Sequence, residues 1–258
     1  MVKINIPETP LVSIIMNCYN CEKFLREAID SVYAQTYDNW EIIFWDNAST
    51  DNSLEIAKSY DSKLKCYHVN ELSPLYTARN MALEHVTSPV VAFLDCDDKW
   101  IKDKLERQII EYLSGNKFVY GGYKIIDING CQKDSLAVEN PSGFITHKLI
   151  KRNNILLGCV LIDASLLKQN KFDPEYDLLG DLDLWVRLSL TTPFLCVDGV
   201  VGLYRQHHES TTHRLKNSWL KERRYFYRKL LGKLSIVKYP EIILYIAKTE
   251  LKGVLNII

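Results

Sequence analysis

The first 98 residues alternate between short apolar runs and segments whose apolar residues recur at helical spacing, and few folds accept such a string. Val12–Met16 reads as a buried strand, and Phe24, Leu25, Ala28, Ile29 and Val32 then mark one face of a helix. Trp40–Trp45 reads as a second strand. Asp51 stands where it can cap a following helix whose apolar face is Leu54, Ile56 and Ala57. A third strand over Leu64–Val69, a short helix over Thr77–His85 and a fourth strand over Val90–Leu94 complete the series. Strands separated by helices pair in parallel through right-handed crossovers, so residues 1–98 read as a doubly wound, nucleotide-type half-domain. After a helix over about Lys102–Ser114 the pattern changes. Lys117–Gly130 holds a strand and a turn, and mixed pieces follow to Tyr204, among them a helix over Asp181–Leu190. The chain from Arg214 onward is helical in character, with an apolar stripe of Ile243, Ala247, Leu251, Leu255 and Ile258.

Folds of this kind commonly cradle phosphates on a glycine-rich loop, and the first half of this chain has none. Of its 11 glycines the first is Gly115, which excludes both G-x-x-x-x-G-K-[ST] and G-x-G-x-x-G before that point. Another device must hold any nucleotide there. Ligands of an open parallel sheet sit beyond the carboxyl ends of its strands. That rule singles out Asn17, Tyr19 and Asn20 after the first strand, Asp46 and Asn47 after the second, and Asp95, Asp97 and Asp98 after the fourth. The run Phe93-Leu-Asp-Cys-Asp-Asp98 is the strongest local signal, because its three carboxylates repel one another. A hard divalent cation, Mn2+ or Mg2+, resolves that repulsion by sharing carboxylates with phosphate oxygens. The alternative is a solvated acidic turn capping the next helix.

Charge narrows the partners. Lys plus Arg and Asp plus Glu both total 32, and zero net charge argues against a general nucleic-acid binder. Residues 214–238 nevertheless hold nine basic groups against Glu222 alone. Such a segment on an acidic body suits an anionic partner, most simply a membrane surface, with a solvated helix face or a dimer contact as alternatives. Seven cysteines, an odd number, and no signal peptide fit a reducing cytosol. Cys18 and Cys21 form a C-x-x-C at a strand-to-helix junction, where a redox pair is conceivable, whereas zinc would call for a second pair that the sequence does not present. No apolar run is long enough to span a bilayer.

Six pieces, in order, resemble the family 2 glycosyltransferases of the GT-A fold from about Leu11 to Thr212. Leu11-V-S-I-I-M-N-C-Y-Asn20 is similar to the family's V-S-I-I-x-P-x-Y-N, and Ser31 to Asp51 to its S-x-x-x-Q-T-x-x-x-x-E-I-I-V-V-D-D-G-S-x-D. Ala78-Arg-Asn80 matches A-R-N, Leu94-Asp-Cys-Asp-Asp98 matches D-x-D-D, Gly180-Asp-Leu-Asp-Leu-Trp185 resembles E-D-x-D-L-W, and Tyr204-Arg-Gln-His207 matches Y-R-x-H. The resemblance implies an α/β GT-A domain over residues 1–212, with a doubly wound, mostly parallel central sheet flanked by helices. It divides into a nucleotide-binding half, 1–98, and an acceptor half, 99–212, followed by a basic, amphipathic helical tail, 213–258.

The resemblance also implies roles. Tyr19 would lie against the nucleobase with Asn17 nearby, Asp46 or Asn47 would read its polar edge, and Arg79 would sit near the base or diphosphate. Asp95 would approach the ribose. Asp97 and His207 would hold the metal, with Asp95 and Asp98 as further candidates. Asp181 would be the general base, and Asp183 and Trp185 would face the acceptor. The implied reaction is inverting transfer of one sugar from a UDP-linked donor to a glycan or lipid-linked saccharide at the cytoplasmic face of a membrane, in bacterial surface polysaccharide or lipopolysaccharide assembly. Plainer roles stand beside these: Arg79 as a helix-end cation, Asp181 as a helix cap, His207 as a loop histidine, and Tyr19 and Trp185 as core aromatics.

Departures from the family pattern matter. Asn17 replaces a proline, Asn47 an aspartate, Ala48 and Ala82 glycines, and Gly180 a glutamate. The two alanines lead to the expectation of ordinary negative φ at both positions. Gly180 and Ala48 also leave room for a nucleotide-sugar binder without turnover, and paired aspartates for a metal-dependent nucleotidyltransferase. No Q-x-x-R-W is present, which favours single addition over processive synthesis.

Overall fold

A computed structural model describes residues 9–133, 141–208, 210, 214–215, 218–232 and 240–255, the last seven of these without their side chains. Eight strands form one sheet: β1 (Val12–Cys18), β2 (Trp40–Asn47), β3 (Leu64–Val69), β4 (Val90–Phe93), β5 (Lys99–Trp100), β6 (Phe118–Ile126), β7 (Val160–Asp163) and β8 (Leu195–Arg205). Their order is β3-β2-β1-β4-β7-β6-β8-β5. The pairings β3–β2, β2–β1 and β1–β4 are parallel. Beyond β4 the sheet becomes mixed: β7 is antiparallel to β4 and β6, β8 is parallel to β6, and β5 is antiparallel to β8. The two halves expected from the sequence therefore share a single sheet.

The helices are α1 (Glu22–Tyr33), α2 (Ser53–Lys58), α3 (Leu75–Leu83), α4 (Lys104–Leu113), α5 (Thr146–Lys151), α6 (Ala164–Gln169), α7 (Gly180–Ser189), α8 (Trp219–Leu231) and α9 (Pro240–Leu255). They cover both faces of the sheet, which explains why β2 is buried at every residue and reads as a continuous apolar run. The acid near its start, Glu41, accepts a 2.7 Å hydrogen bond from Ser13 Oγ and pairs with Lys65. The expected face of α1 is buried as a unit. Asp51 caps two helices at once: Oδ1 accepts from the Ser53 N–H and Oδ2 from the Glu22 N–H, each at 3.0 Å.

One of the two alanine expectations needs correction. Ala82 lies within α3 as expected, but Ala48 has φ +63°. At the end of β2 the chain turns sharply so that Thr50 N–H reaches Asn20 Oδ1 at 2.8 Å and Ser49 Oγ accepts from Asn20 N–H at 3.0 Å. Asn20 is itself left-handed, at φ +53°. The turn needs that geometry whichever residue occupies it, at about 1–2 kcal/mol for alanine.

The tail is not an appendage. Phe226, Tyr227 and Leu230 of α8 and Ile242 and Ile246 of α9 join the main apolar core. The buried stripe of α9 is thus one residue earlier than expected, and Ala247 is exposed. The side chains of Leu251 and Leu255, all of Ile258, Lys216, Lys233 and Lys238, and the expected boundary at 212–213 lie outside the described residues. Among the described residues no helix is long and apolar enough to cross a membrane.

Candidate active site

The carboxyl ends of β1 and β4, the face of α3, the start of α7 and the chain leaving β8 enclose a cleft of about 620 Å³. Asn17, Tyr19, Asn47, Arg79, Asp95, Asp97, Asp181 and His207 all line it. Residues from six separate stretches of sequence are thereby brought to one wall or another of the same space.

The three carboxylates that follow β4 do not point the same way. Asp95 Oδ1 accepts from Arg79 Nη2 at 2.6 Å, and that guanidinium is 6% exposed, lying over the rings of Tyr76 and Phe172. Burial raises the Asp95 carboxyl above its ordinary value, Arg79 opposes the rise and Asp97 adds to it. Asp97 Oδ2 lies 2.9 Å from His207 Nε2. Asp98 turns away from the cleft and is buried, with Oδ1 accepting the Arg205 backbone N–H at 2.8 Å. Burial, with Asp97 and Asp95 close by, pushes its carboxyl well above the usual range. Asp95 and Asp97 are each paired, with Arg79 and His207, while Asp98 bears the remaining repulsion and does not line the site as a further ligand.

Arg205 holds this turn in place. It is 1% exposed; Nε donates to the Asp97 carbonyl at 2.9 Å, Nη1 to the carbonyls of Asp127 and Ile128, and Nη2 to Glu27 at 3.1 Å. Its guanidinium also lies over Phe24, whose ring packs against His207. One side chain therefore fixes both partners of the Asp97–His207 pair.

Asp181 faces the cleft from the first turn of α7. Burial raises its carboxyl to about 6; the Leu182 N–H, donated at 2.7 Å, and Arg79 pull it down, and Asp95 pushes it up. A carboxylate so tuned is ionised at neutral pH yet more basic than an ordinary aspartate. Its backbone is held by Tyr76, whose hydroxyl accepts the Asp181 N–H at 3.3 Å and donates to the Leu178 carbonyl at 3.1 Å. Gly180 packs flat on that ring: a Cβ there would lie 2.6 Å from two of its carbons. The glycine is thus a packing partner of Tyr76, and the family's glutamate does not fit beside it.

A second clamp comes from α8. Glu222 is buried and accepts the backbone N–H groups of Asp177, Leu178 and Leu179 at 3.1, 2.9 and 3.0 Å. These residues lead directly into α7. Glu222→Ala leaves three donors without their charged acceptor, which should cost about 2–3 kcal/mol and loosen Asp181. Urea unfolding together with a transfer assay checks both effects, and an unchanged midpoint would count against the clamp.

Several expected residues lie elsewhere. Trp185 is fully buried and packs edge-on to Phe118. Asp183 is buried and pairs with Arg187 at 2.7 Å and Lys229 at 3.6 Å, tying α7 to α8. Neither lines the cleft, so their expected place at the acceptor is corrected to a place in the core. Asp46 is fully buried behind the cleft, 2.7 Å from His68 Nδ1. Asn47 reaches the cleft, but its amide is engaged with Ser73. By contrast, both amide atoms of Asn17 and Nδ1 of His207 are buried without a partner, a condition that bound ligands commonly relieve. Tyr76, Arg205, Glu222 and Arg214, which also lines the cleft, were not singled out by the sequence reasoning. Glu222 carried a signal, as the lone acid among nine bases.

A family model described as glycosyl transferase family 2 matches residues 13–160. The chain is 38% identical over 182 residues to the Escherichia coli UDP-Glc:alpha-D-GlcNAc-diphosphoundecaprenol beta-1,3-glucosyltransferase WfgD, covering 69% of each chain. It is 34% identical over 186 residues to the putative teichuronic acid biosynthesis glycosyltransferase TuaG of Bacillus subtilis, covering 69% of this chain and 72% of that one. In structure it is similar to S. aureus TarS 1-349 in complex with UDP, with a TM-score of 0.69 at 19% identity over 92% of this chain and 70% of that one. It spans 42% of the longer TarS chain in a second structure.

Proposed function

The chain belongs to glycosyltransferase family 2 and is a glycosyltransferase of the GT-A fold, and from that premise we propose that it transfers one sugar, with inversion, from a UDP-linked donor to a hydroxyl of a lipid-linked saccharide. Relatives named for cell-surface polysaccharide synthesis support the setting, and the lipid diphosphate acceptor named for WfgD supports the acceptor class. The observation that carries the reading is the gathering in one cleft of a tuned carboxylate, Asp181, the buried cation Arg79 on Asp95, and the Asp97–His207 pair.

In this proposal Tyr19, 39% exposed at the cleft rim, lies against the base, and the unpartnered Asn17 amide hydrogen-bonds the donor. Arg79, held over the rings of Tyr76 and Phe172, faces the diphosphate, and Asp95 orients Arg79 and meets the ribose. Asp97 and His207 offer an oxygen and an imidazole nitrogen 2.9 Å apart, and the carboxylate together with diphosphate oxygens suits Mn2+ or Mg2+. A bound divalent cation supplies positive charge toward the leaving diphosphate. Asp181 takes the proton from the acceptor hydroxyl as it attacks the anomeric carbon. Arg214, at the cleft mouth, adds a further cation for phosphate.

The bases of α8 suit peripheral contact with an anionic membrane at its cytoplasmic face. Trp219, Leu220 and Tyr225 are exposed there among Lys221 and Arg228, pairing apolar rings with positive charge as interfacial helices do. The test is a donor panel with Mn2+ and a polyprenyl-diphosphate-linked N-acetylhexosamine acceptor. Nucleoside diphosphate release should depend on a UDP-sugar and rise with the acceptor. Tight donor binding with no release, or pyrophosphate released from UTP, would overturn the proposal.

A further inference from the structure

Three of the seven cysteines meet at the floor of the cleft. Cys18 closes β1, Cys21 immediately precedes α1, and Cys96 lies between Asp95 and Asp97 after β4. Their Sγ atoms all lie within 4.8 Å of one another. The C-x-x-C thus acquires its missing ligand from a distant strand end, which spacing along the chain does not reveal. Sulfurs bound to one tetrahedral zinc at about 2.3 Å lie roughly 3.8 Å apart, so small rotations of the three side chains would close the cluster on an ion. What the thiols now hold is weak: Cys96 Sγ lies 3.3 Å from the Asn17 carbonyl and Cys21 Sγ 3.5 Å from that of Tyr19. Cys18 and Cys96 are buried, Cys21 is partly exposed, and all three line the cleft, leaving a fourth side open to a water or an incoming ligand.

We propose that Cys18, Cys21 and Cys96 form a three-thiolate site for a soft cation of the zinc class, distinct from the oxygen and nitrogen donors of Asp97 and His207. Ligand softness separates the two sites although they share one turn of chain: sulfur selects zinc-like ions, whereas carboxylate suits Mg2+ and Mn2+. Occupancy joins the end of β1, the start of α1 and the turn after β4 directly beneath Asn17 and Tyr19, whose carbonyls the Cys96 and Cys21 sulfurs already touch. The cation is therefore coupled to whatever binds in the cleft. Among the described residues this is the one group of three or more such ligand side chains close enough to share an ion.

Co2+ is the probe, because only thiolate ligation gives its near-ultraviolet sulfur-to-metal charge-transfer absorption. Titrating the reduced full chain should produce that band with saturation at one equivalent, and Zn2+ should displace it. Cys21→Ser, at a partly exposed position, should weaken binding by tenfold or more, since loss of even an outer partner of a metal ligand costs about that much. Asp97→Ala and excess Mg2+ should leave the band in place. Zn2+ should also protect Cys18, Cys21 and Cys96 from alkylation while exposed Cys131 reacts as before. No band, an equal band in Cys21→Ser, loss of the band in Asp97→Ala, or reaction of all three thiols at the unprotected rate would each overturn the proposal.

Discussion

Asp181→Asn should lower the rate of sugar transfer by about 10³-fold while leaving donor binding essentially unchanged. The substitution keeps the shape and the acceptor oxygen that receives the Leu182 N–H, but removes the atom that can accept the hydroxyl proton. The acidic limb of the pH profile should report the same group. Because burial raises the Asp181 carboxyl to about 6, the base form predominates only above that pH, and kcat/KM should fall about tenfold per unit below it. Stability should move the other way. A carboxyl with a raised folded pKa favours folding most when protonated, so its contribution is present below the ordinary aspartate value and lost as pH rises through about 6. Transfer at the wild-type rate in Asp181→Asn would remove the residue from the reaction.

Arg205→Ala should have the largest effect on the fold. A guanidinium 1% exposed, bonded to three carbonyls and a carboxylate, cannot be removed without losing all of those bonds and leaving a hole beside Phe24. Truncating a fully buried long side chain that makes these hydrogen bonds costs about 3–5 kcal/mol, from the lost packing and the lost bonds together. For a chain of this size that lowers Tm by roughly 10 °C. Arg205→Lys should recover only part of the loss, because a single ammonium cannot reproduce the fork that reaches Asp97, Ile128 and Glu27 together. Scanning calorimetry decides between these values, and a change under about 1 kcal/mol would mean that the turn after β4 does not depend on Arg205.

The parallel half of the fold was legible because β1, β2 and β4 are buried on both faces and α1 is strongly amphipathic, so that these elements carry their structure in local pattern, while β3 shows itself as an edge strand of mixed burial. The second half was less so. β5 is two residues long, and β8 bends through a bulged pairing with β6 in which a Cβ on Gly121 would collide with Val201. Such features depend on partners far along the chain. The site was legible to the extent that strand ends mark it: Asn17, Tyr19, Asp95 and Asp97 follow from that rule, and Asp181 and His207 from the resemblance. Trp185 and Asp183 were misplaced because a helix's first turn exposes only one side to the cleft, and Asp181 holds it. The Gly180–Tyr76 contact, the Glu222 clamp and the trio of thiols were out of reach, since each joins residues with no pattern in common. Ala48 shows the opposite error: the residue type suggested ordinary backbone, but the turn between β2 and α2 imposed the left-handed one.

The central claim is that this cleft binds a nucleoside diphosphate through a divalent cation held by Asp97 and His207, with no glycine loop to do that work. Calorimetric titration of UDP into the wild-type chain and Asp97→Ala, with Mn2+ and again with a chelator, tests it most directly. The account predicts binding that requires Mn2+ in the wild type and is lost in Asp97→Ala. Equal UDP affinity with and without Mn2+, or an Mn2+ dependence that survives in Asp97→Ala, would contradict it.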